Sequence, residues 1–164
     1  MKEELIIEID INEKKYLISN YNENTISPSL RDYLINELVG ESLNAKVTLN
    51  IDTKFKLSND EKELYSSMIR KEFKESINEL VYESGTSDIQ KILMFLLGLL
   101  FLFSSFLLEA VLGEVFSQIL MVFGWVALWE VAYSIFFTDS SRKIKNKRYK
   151  QLQNAIIIFN DENK

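Results

Sequence analysis

The chain has 164 residues, of which 47% are hydrophobic, and a formal net charge of −5. It contains no cysteine and no histidine, which excludes disulfides, thiol nucleophiles, histidine acid–base catalysis and the common zinc sites. It also contains no glycine-rich phosphate loop and no catalytic motif. We therefore predict no enzyme activity, no catalytic residue, no metal site and no cofactor, and expect the protein to act through binding or assembly.

The first 86 residues predict a small α+β domain that begins with strands. Residues 5–11 and 45–52 alternate apolar and polar side chains, which is typical of half-buried strands. Residues 12–14 favour a turn, so residues 15–20 predict a short partner strand for the first strand.

Two helices are predicted in the same domain. Ser27 before Pro28 is typical of a helix start, and Gly40 is typical of a helix end. Ser58 predicts the N-cap of a second helix that runs to about Tyr82. Each helix has one apolar stripe, so we expect two helices on one face of a single sheet, in the order β(β)αβα.

Residues 87–138 are predicted to form a transmembrane helical hairpin. Two apolar runs, residues 89–108 and 115–137, flank a short acidic link at residues 109–114. About 20 helical residues cross a bilayer core roughly 30 Å thick, and both runs reach that length. A hairpin buried in a soluble protein is the alternative. Residues 84–87 predict a break before the first span, with Gly85 as its hinge.

Residues 139–164 predict a basic cytoplasmic tail. Six Lys and Arg residues lie between positions 142 and 150, whereas the link between the apolar runs has none. Because Lys and Arg near a span stay in the cytoplasm, both termini are predicted on that side of a plasma membrane. Residues 155–159 read AIIIF and predict either a strand added to the domain, a segment packed under it, or a frayed tail.

An acidic residue inside the second apolar run is the main functional signal. Ionisable groups within a membrane span are rare and mark functional sites by default. At 100° per residue, one face of the helix carries the predicted pore or gate residues Phe116, Ile119, Phe123, Glu130 and Ser134. Helix packing or snorkelling to the headgroups would equally explain Glu130. Ser117, Gly124 and Ala127 form a stripe of small residues that favours close packing against Gly98 and Ser105.

Two helices cannot enclose a pore, so a channel requires a homo-oligomer, for which we favour a tetramer. Apolar constrictions gate by dewetting, and acidic rings favour cations. A phosphate-bearing signal would need basic residues in the acidic N-terminal domain. The residues predicted to bind such a ligand are Lys54, Lys56, Arg70, Lys71 and Lys74.

The second apolar run reads GWVALWE at residues 124–130, and an aromatic run, Asp139 and a basic segment at residues 147–152 follow it. This pattern resembles a family of small, uncharacterised two-span bacterial membrane proteins. The layout is also similar to the membrane effectors of Hailong-type anti-phage systems. That resemblance implies a channel that depolarises the bacterial inner membrane. It also implies a nucleotide or oligonucleotide signal from a partner nucleotidyltransferase. A non-conducting membrane-anchored adaptor that recruits a cytoplasmic protein is the alternative.

The predicted topology can be tested by labelling. Single cysteines placed at residues 2 and 164 should react with a membrane-impermeant reagent only after the cells are permeabilised, because both termini are predicted to be cytoplasmic. Labelling of either position in intact cells would contradict this topology.

Overall fold

The computed structural model describes residues 4–19, 22 and 24–161. This part of the chain forms the strands β1 (Glu4–Ile11), β2 (Lys46–Thr53) and β3 (Ile156–Asp161) and the helices α1 (Pro28–Glu37), α2 (Asn59–Leu112), α3 (Glu114–Tyr133) and α4 (Asp139–Gln153). A 3-10 helix spans Lys14–Tyr16, and a π-helical turn, Ser134–Thr138, lies between α3 and α4. Leu80–Lys143 forms one compact unit, here called the hairpin unit. The described residues before and after it form a second, the sheet unit.

The sheet unit contains a three-stranded sheet in the order β1-β2-β3, and every strand pair is parallel. The predicted order β(β)αβα is wrong, because β1 is followed by a 3-10 helix and α1, and the third strand comes only after α4. Parallel neighbours cannot be joined by a tight turn and need a crossover. Helix α1 supplies the crossover from β1 to β2, and the chain from α2 to α4 supplies the crossover from β2 to β3.

The predicted partner strand at residues 15–20 is wrong for its described part, and residue 20 lies outside the described residues. The chain instead turns through the 3-10 helix, in which Tyr16 N donates to Glu13 O at 3.0 Å. This turn places the Leu17 side chain in the buried core. A hairpin strand would instead have run along the edge of β1. An isolated bridge between Ile18 and Ile26 then leads the chain toward α1.

Side-chain caps start both helices of the sheet unit where the sequence predicted them. Ser27 Oγ accepts from Leu30 N at 3.2 Å, and Pro28 occupies the first turn of α1. At α2, Glu61 N donates to Ser58 Oγ and Ser58 N donates to Glu61 Oε2, which is a reciprocal capping box. The hydrogen bond from Lys14 lowers the pKa of the same Glu61 carboxylate, so it stays ionised at the positive end of the helix dipole.

One face of the sheet carries the core. Alternate side chains of β1 and β2 are buried against α1, the first part of α2 and the end of α4, as the alternation predicted. The main buried residues are Ile7, Ile9, Ile11, Val47, Leu49, Ile51, Leu30, Leu34, Ile69, Phe73 and Leu152. The opposite face exposes Ile6, Ile156 and Ile158, with Thr48 between the first two in register. Parallel sheets are usually covered on both faces, so this open face is unusual.

The apolar segment of the tail forms β3. Ile156–Asp161 pairs with Thr48–Thr53 of β2, while Ile157 and Phe159 pack against the core. The strand thus places β2 in the centre of the sheet, with a neighbour on each side. Before it, the basic segment is helical as part of α4 rather than an extended tail.

The predicted break at residues 84–87 is also wrong, because α2 is continuous from Asn59 to Leu112. Glycine in a helix costs only about 1 kcal/mol relative to alanine, and the long helix on either side of Gly85 outweighs that cost. Thr86 Oγ1 donates to Glu83 O at 3.0 Å, so its hydroxyl is satisfied within the helix. Gly85 is therefore a helical residue, and its role as a hinge stays a prediction.

Removal of β3 should destabilise the sheet unit. Deletion of residues 154–164 strips one edge of β2 and exposes core side chains, so the melting temperature should fall by about 10 °C or more. Circular dichroism of the full-length and truncated proteins in detergent measures this shift. Ile158→Ala is the matched control on the open face and should change the melting temperature by less than about 4 °C. Equal melting of the truncated and intact proteins would contradict the structural role of β3.

Candidate functional site in the helical hairpin

Two helical segments fold back on each other in the hairpin unit. The end of α2 and the start of α3 are separated only by Gly113, whose φ of 82° lies in the left-handed region that glycine adopts without strain. Gly113 N donates to Glu109 O, and Ser117 N donates to Gly113 O. The predicted link at residues 109–114 is thus mostly helical, which makes the turn very short.

Small residues bring the two helices together, which confirms the predicted packing stripe. Gly98 and Gly124 face each other so closely that a Cβ on Gly124 would lie 3.0 Å from Gly98 O. A second contact lies nearer the turn, where Ser117 Oγ donates to Ser105 O at 2.6 Å. Both serines and Ala127 are buried. The interface therefore combines close backbone approach, a buried hydrogen bond and leucine side chains that pack over the two glycines.

The outer surface of the hairpin unit is apolar and open. α2 and the continuous helix from Glu114 to Gln153 each contain a stretch long and apolar enough to cross a membrane. Only 11% of each of these stretches is buried within the chain, whereas a core helix of a soluble protein would be mostly buried. The large exposed side chains include Phe103, Phe106, Leu107, Val111, Trp125, Trp129 and Phe136.

The predicted apolar pore residues lie on this open surface, and Glu130 is also exposed. The side chains of Phe116, Ile119, Phe123 and Glu130 are exposed, and Ser134 is half-buried in the π-helical turn. The Phe123 ring touches that of Phe101, with centroids 5.9 Å apart. The Glu130 carboxylate makes no ion pair and no hydrogen bond with the described residues. These side chains are thus available to neighbouring molecules.

An ion pair that the sequence did not predict lies at the end of the hairpin unit away from the Gly113 turn. Lys91 Nζ contacts Asp139 at 2.5 Å and Asp88 at 2.9 Å, and little of its side chain is exposed. Arg142 approaches the same Asp139 at 3.9 Å. The pair joins α2 to the first residue of α4. Its signal in the sequence is that Lys91 is the single basic residue between positions 89 and 137.

A small cavity of about 130 Å³ lies between the two helices beside this ion pair. Its lining mixes polar and apolar side chains and comprises Ser87, Gln90, Lys91, Met94, Glu130, Val131 and Ser134. Glu130 therefore borders a partly polar cavity on one side, while its exposed part faces outward. The two predicted residues Glu130 and Ser134 share this cavity, while Phe116, Ile119 and Phe123 do not line it.

The predicted ligand-binding residues fall into two exposed groups in the sheet unit. Lys54 and Lys56 follow β2, whereas Arg70, Lys71 and Lys74 lie on the solvent side of α2. Lys71 is 3.8 Å from Glu75 of the next helical turn, which partly neutralises it. The groups belong to different elements, and their role in binding stays a prediction.

Comparisons of the chain with protein-family models, with curated proteins and with solved structures find no match.

The close contact of the two helices can be tested with paired glycine substitutions. Gly124→Ala would place a Cβ 2.7 Å from Leu102 Cγ and should cost about 1–3 kcal/mol as the helices separate. Gly85→Ala meets no atom within 4 Å and should stabilise α2 by about 1 kcal/mol. Unfolding in mixed micelles by increasing SDS, followed through the two tryptophans of α3, measures both effects. Equal stability of the two variants would contradict this helix contact.

Proposed function

We propose that this protein is a homo-oligomeric membrane effector and a signal-gated ion channel, with the hairpin unit spanning the bacterial inner membrane. In this proposal the sheet unit lies in the cytoplasm and senses a nucleotide or oligonucleotide signal made by a partner nucleotidyltransferase. Opening of the channel depolarises the membrane in anti-phage defence. The resemblance to two-span defence effectors suggests the signal and the biological role.

The observation that carries the proposal is the exposed carboxylate of Glu130. A charged side chain near the middle of a span costs about 3 kcal/mol when it faces lipid. Within one copy, Glu130 has no ionic partner among the described residues, and only one side of it meets the small, partly polar cavity. A second copy, or water enclosed by several copies, would remove this cost. Assembly around the Glu130 face is therefore the favourable arrangement in a bilayer.

The exposed aromatic face supports a gate at the same surface. Phe116, Ile119 and Phe123 precede Glu130 along α3 and carry no polar atom in their side chains. In an oligomer built around this face, they would form apolar constrictions that exclude water, followed by an acidic ring. The ring would attract cations, and the constrictions would hold the channel closed until the signal binds.

The continuity of α2 supports direct coupling between sensing and gating. Helix α2 begins in the sheet unit with its capping box and continues to Gly113 without interruption. In this proposal a displacement at the start of α2 would pass along the helix backbone into the hairpin unit, and Gly85 remains the predicted hinge on that route. The π-helical turn at Ser134–Thr138 is the irregular point of the returning helix, and such turns often occur at functional sites.

One observation favours the adaptor as a second function. The open face of the sheet exposes Ile6, Ile156 and Ile158, and an uncovered parallel sheet is a natural surface for a protein partner. In that case the hairpin unit anchors the protein without conducting ions.

Ion flux through liposomes that contain the purified protein tests the channel. Phe123→Ser should leak without a signal, because a hydroxyl lets water wet the constriction. Glu130→Gln should preserve folding but lower the preference for cations, because it removes the charge and keeps the shape. Phe103→Ser on α2 and Glu114→Gln at the turn are the matched controls and should behave like the native protein.

The mass of the protein in detergent provides the second test. A tetramer or another closed oligomer is expected, and a strict monomer would exclude the channel. An oligomer in which Phe123→Ser does not leak and Glu130→Gln keeps native selectivity would favour the adaptor.

A further inference from the structure

A basic pocket of about 530 Å³ opens in the sheet unit at the amino ends of β2 and β3. One wall is the loop before β2 together with Lys46, the first residue of that strand. The other wall is the last part of α4, and Ile156 at the start of β3 lies between them. This volume lies within the range of about 300–1,000 Å³ that is common for small-molecule sites.

The helical wall presents a single polar face to the pocket. Lys147, Lys150 and Gln151 follow the spacing i, i+3 and i+4, which places them on one side of α4, and Asn154 follows directly after the helix. Gln151 Nε2 donates to both Ser42 O and Ala45 O at 3.0 Å. These two bonds fix the loop to the helix, so the pocket is formed before any ligand enters.

The pocket concentrates positive charge in an acidic protein. Lys46, Lys147 and Lys150 line it, and no aspartate or glutamate does. None of these three lysines has a carboxylate within 4 Å in the described part of the chain, whereas Lys14, Lys15 and Lys71 do. Three ammonium groups that form no ion pair among the described residues surround one concave surface and raise the local concentration of anions.

A purely structural role explains only part of this arrangement. Lys150 lies in the last turn of α4 and interacts favourably with the negative end of the helix dipole. That effect falls off within one turn and does not require Lys46. A second cavity, at the carboxyl end of β1, carries Glu8 and Asp10 and would repel an anion. Of these two cavities in the sheet unit, only the basic pocket suits an anionic ligand.

We propose that the basic pocket binds a phosphorylated small molecule. Its phosphate oxygens accept hydrogen bonds from Lys46, Lys147 and Lys150, and charge-assisted bonds of this kind are the stronger ones. Its apolar or planar part packs on Leu43 and Ile156, which give the pocket an apolar side. The inference rests on the proposed function, since it assigns the chemical class and the site of the sensed signal. The phosphate could come from a soluble nucleotide or from the headgroup of an anionic phospholipid.

Calorimetric titration of the full chain in phosphatidylcholine nanodiscs tests a soluble source. Pyrophosphate and ATP are the probes, and at least one should bind. Lys46→Gln and Lys147→Gln should each weaken binding about tenfold, as expected for loss of one charge-assisted hydrogen bond. Lys145→Gln is the matched control, because Lys145 is exposed on the same helix but does not line the pocket. It should change the affinity less than about twofold, and circular dichroism should show all three variants folded.

Native mass spectrometry of protein from phosphatidylglycerol nanodiscs tests the lipid source. If a headgroup occupies the pocket, retained phosphatidylglycerol should fall in Lys46→Gln and Lys147→Gln but not in Lys145→Gln. The proposal is overturned if neither probe binds and no lipid is retained, or if Lys145→Gln weakens binding as much as the pocket variants do. Binding is measured without any ion flux. If the pocket binds a probe but the protein conducts no ions, only the proposed channel is overturned. If the protein conducts ions but the pocket binds no probe and no lipid, only the proposed pocket is overturned.

Discussion

The pairing of β3 with β2 is the constraint on which the rest of the structure depends. Strand β2 is central, so its backbone needs a neighbour on both sides, and the second neighbour comes from the end of the chain. Because the pairing is parallel, the chain between Thr53 and Ile156 must form a crossover. The hairpin unit is inserted into that crossover, so both of its ends are tied to one sheet unit.

Local signals predicted β1, β2 and the starts of α1 and α2, but the helix α4 and the topology of the sheet needed long-range information. Alternation identified β1 and β2, and Ser27 and Ser58 marked both helix starts, since these signals depend on a few neighbouring residues. The direction of each strand depends on its connection instead. The segment after β1 could form either a strand or a turn, and burial of Leu17 in the tertiary core decides for the turn. The break expected around Gly85 failed because one glycine costs less than the flanking helix gains.

The candidate site shows the same division between local and distant signals. Spacing predicted the small-residue contact of Gly98 and Gly124, because both helices repeat such residues along one face. The ion pair of Lys91 and Asp139 was missed, since its partners are 48 residues apart and only the folded hairpin joins them. The basic pocket was missed for the same reason. Lys46 is the first residue of β2, whereas Lys147 and Lys150 belong to α4, so the sequence shows two unrelated groups of charge.

The way the hairpin is packed limits how it can assemble. Its small residues face inward, where Gly98, Gly124 and Ser105 allow the backbones of the two helices to approach closely. The outer surface is left with large aromatic and aliphatic side chains and with Glu130. In lipid, apolar side chains gain little from association, because the lipid tails are equally apolar. Glu130 differs from these apolar side chains, because its carboxylate loses hydration wherever a copy meets lipid. For the proposed membrane oligomer, contacts between copies would therefore be favoured most where they bring Glu130 into water or against polar groups, so the arrangement that we propose encloses this residue.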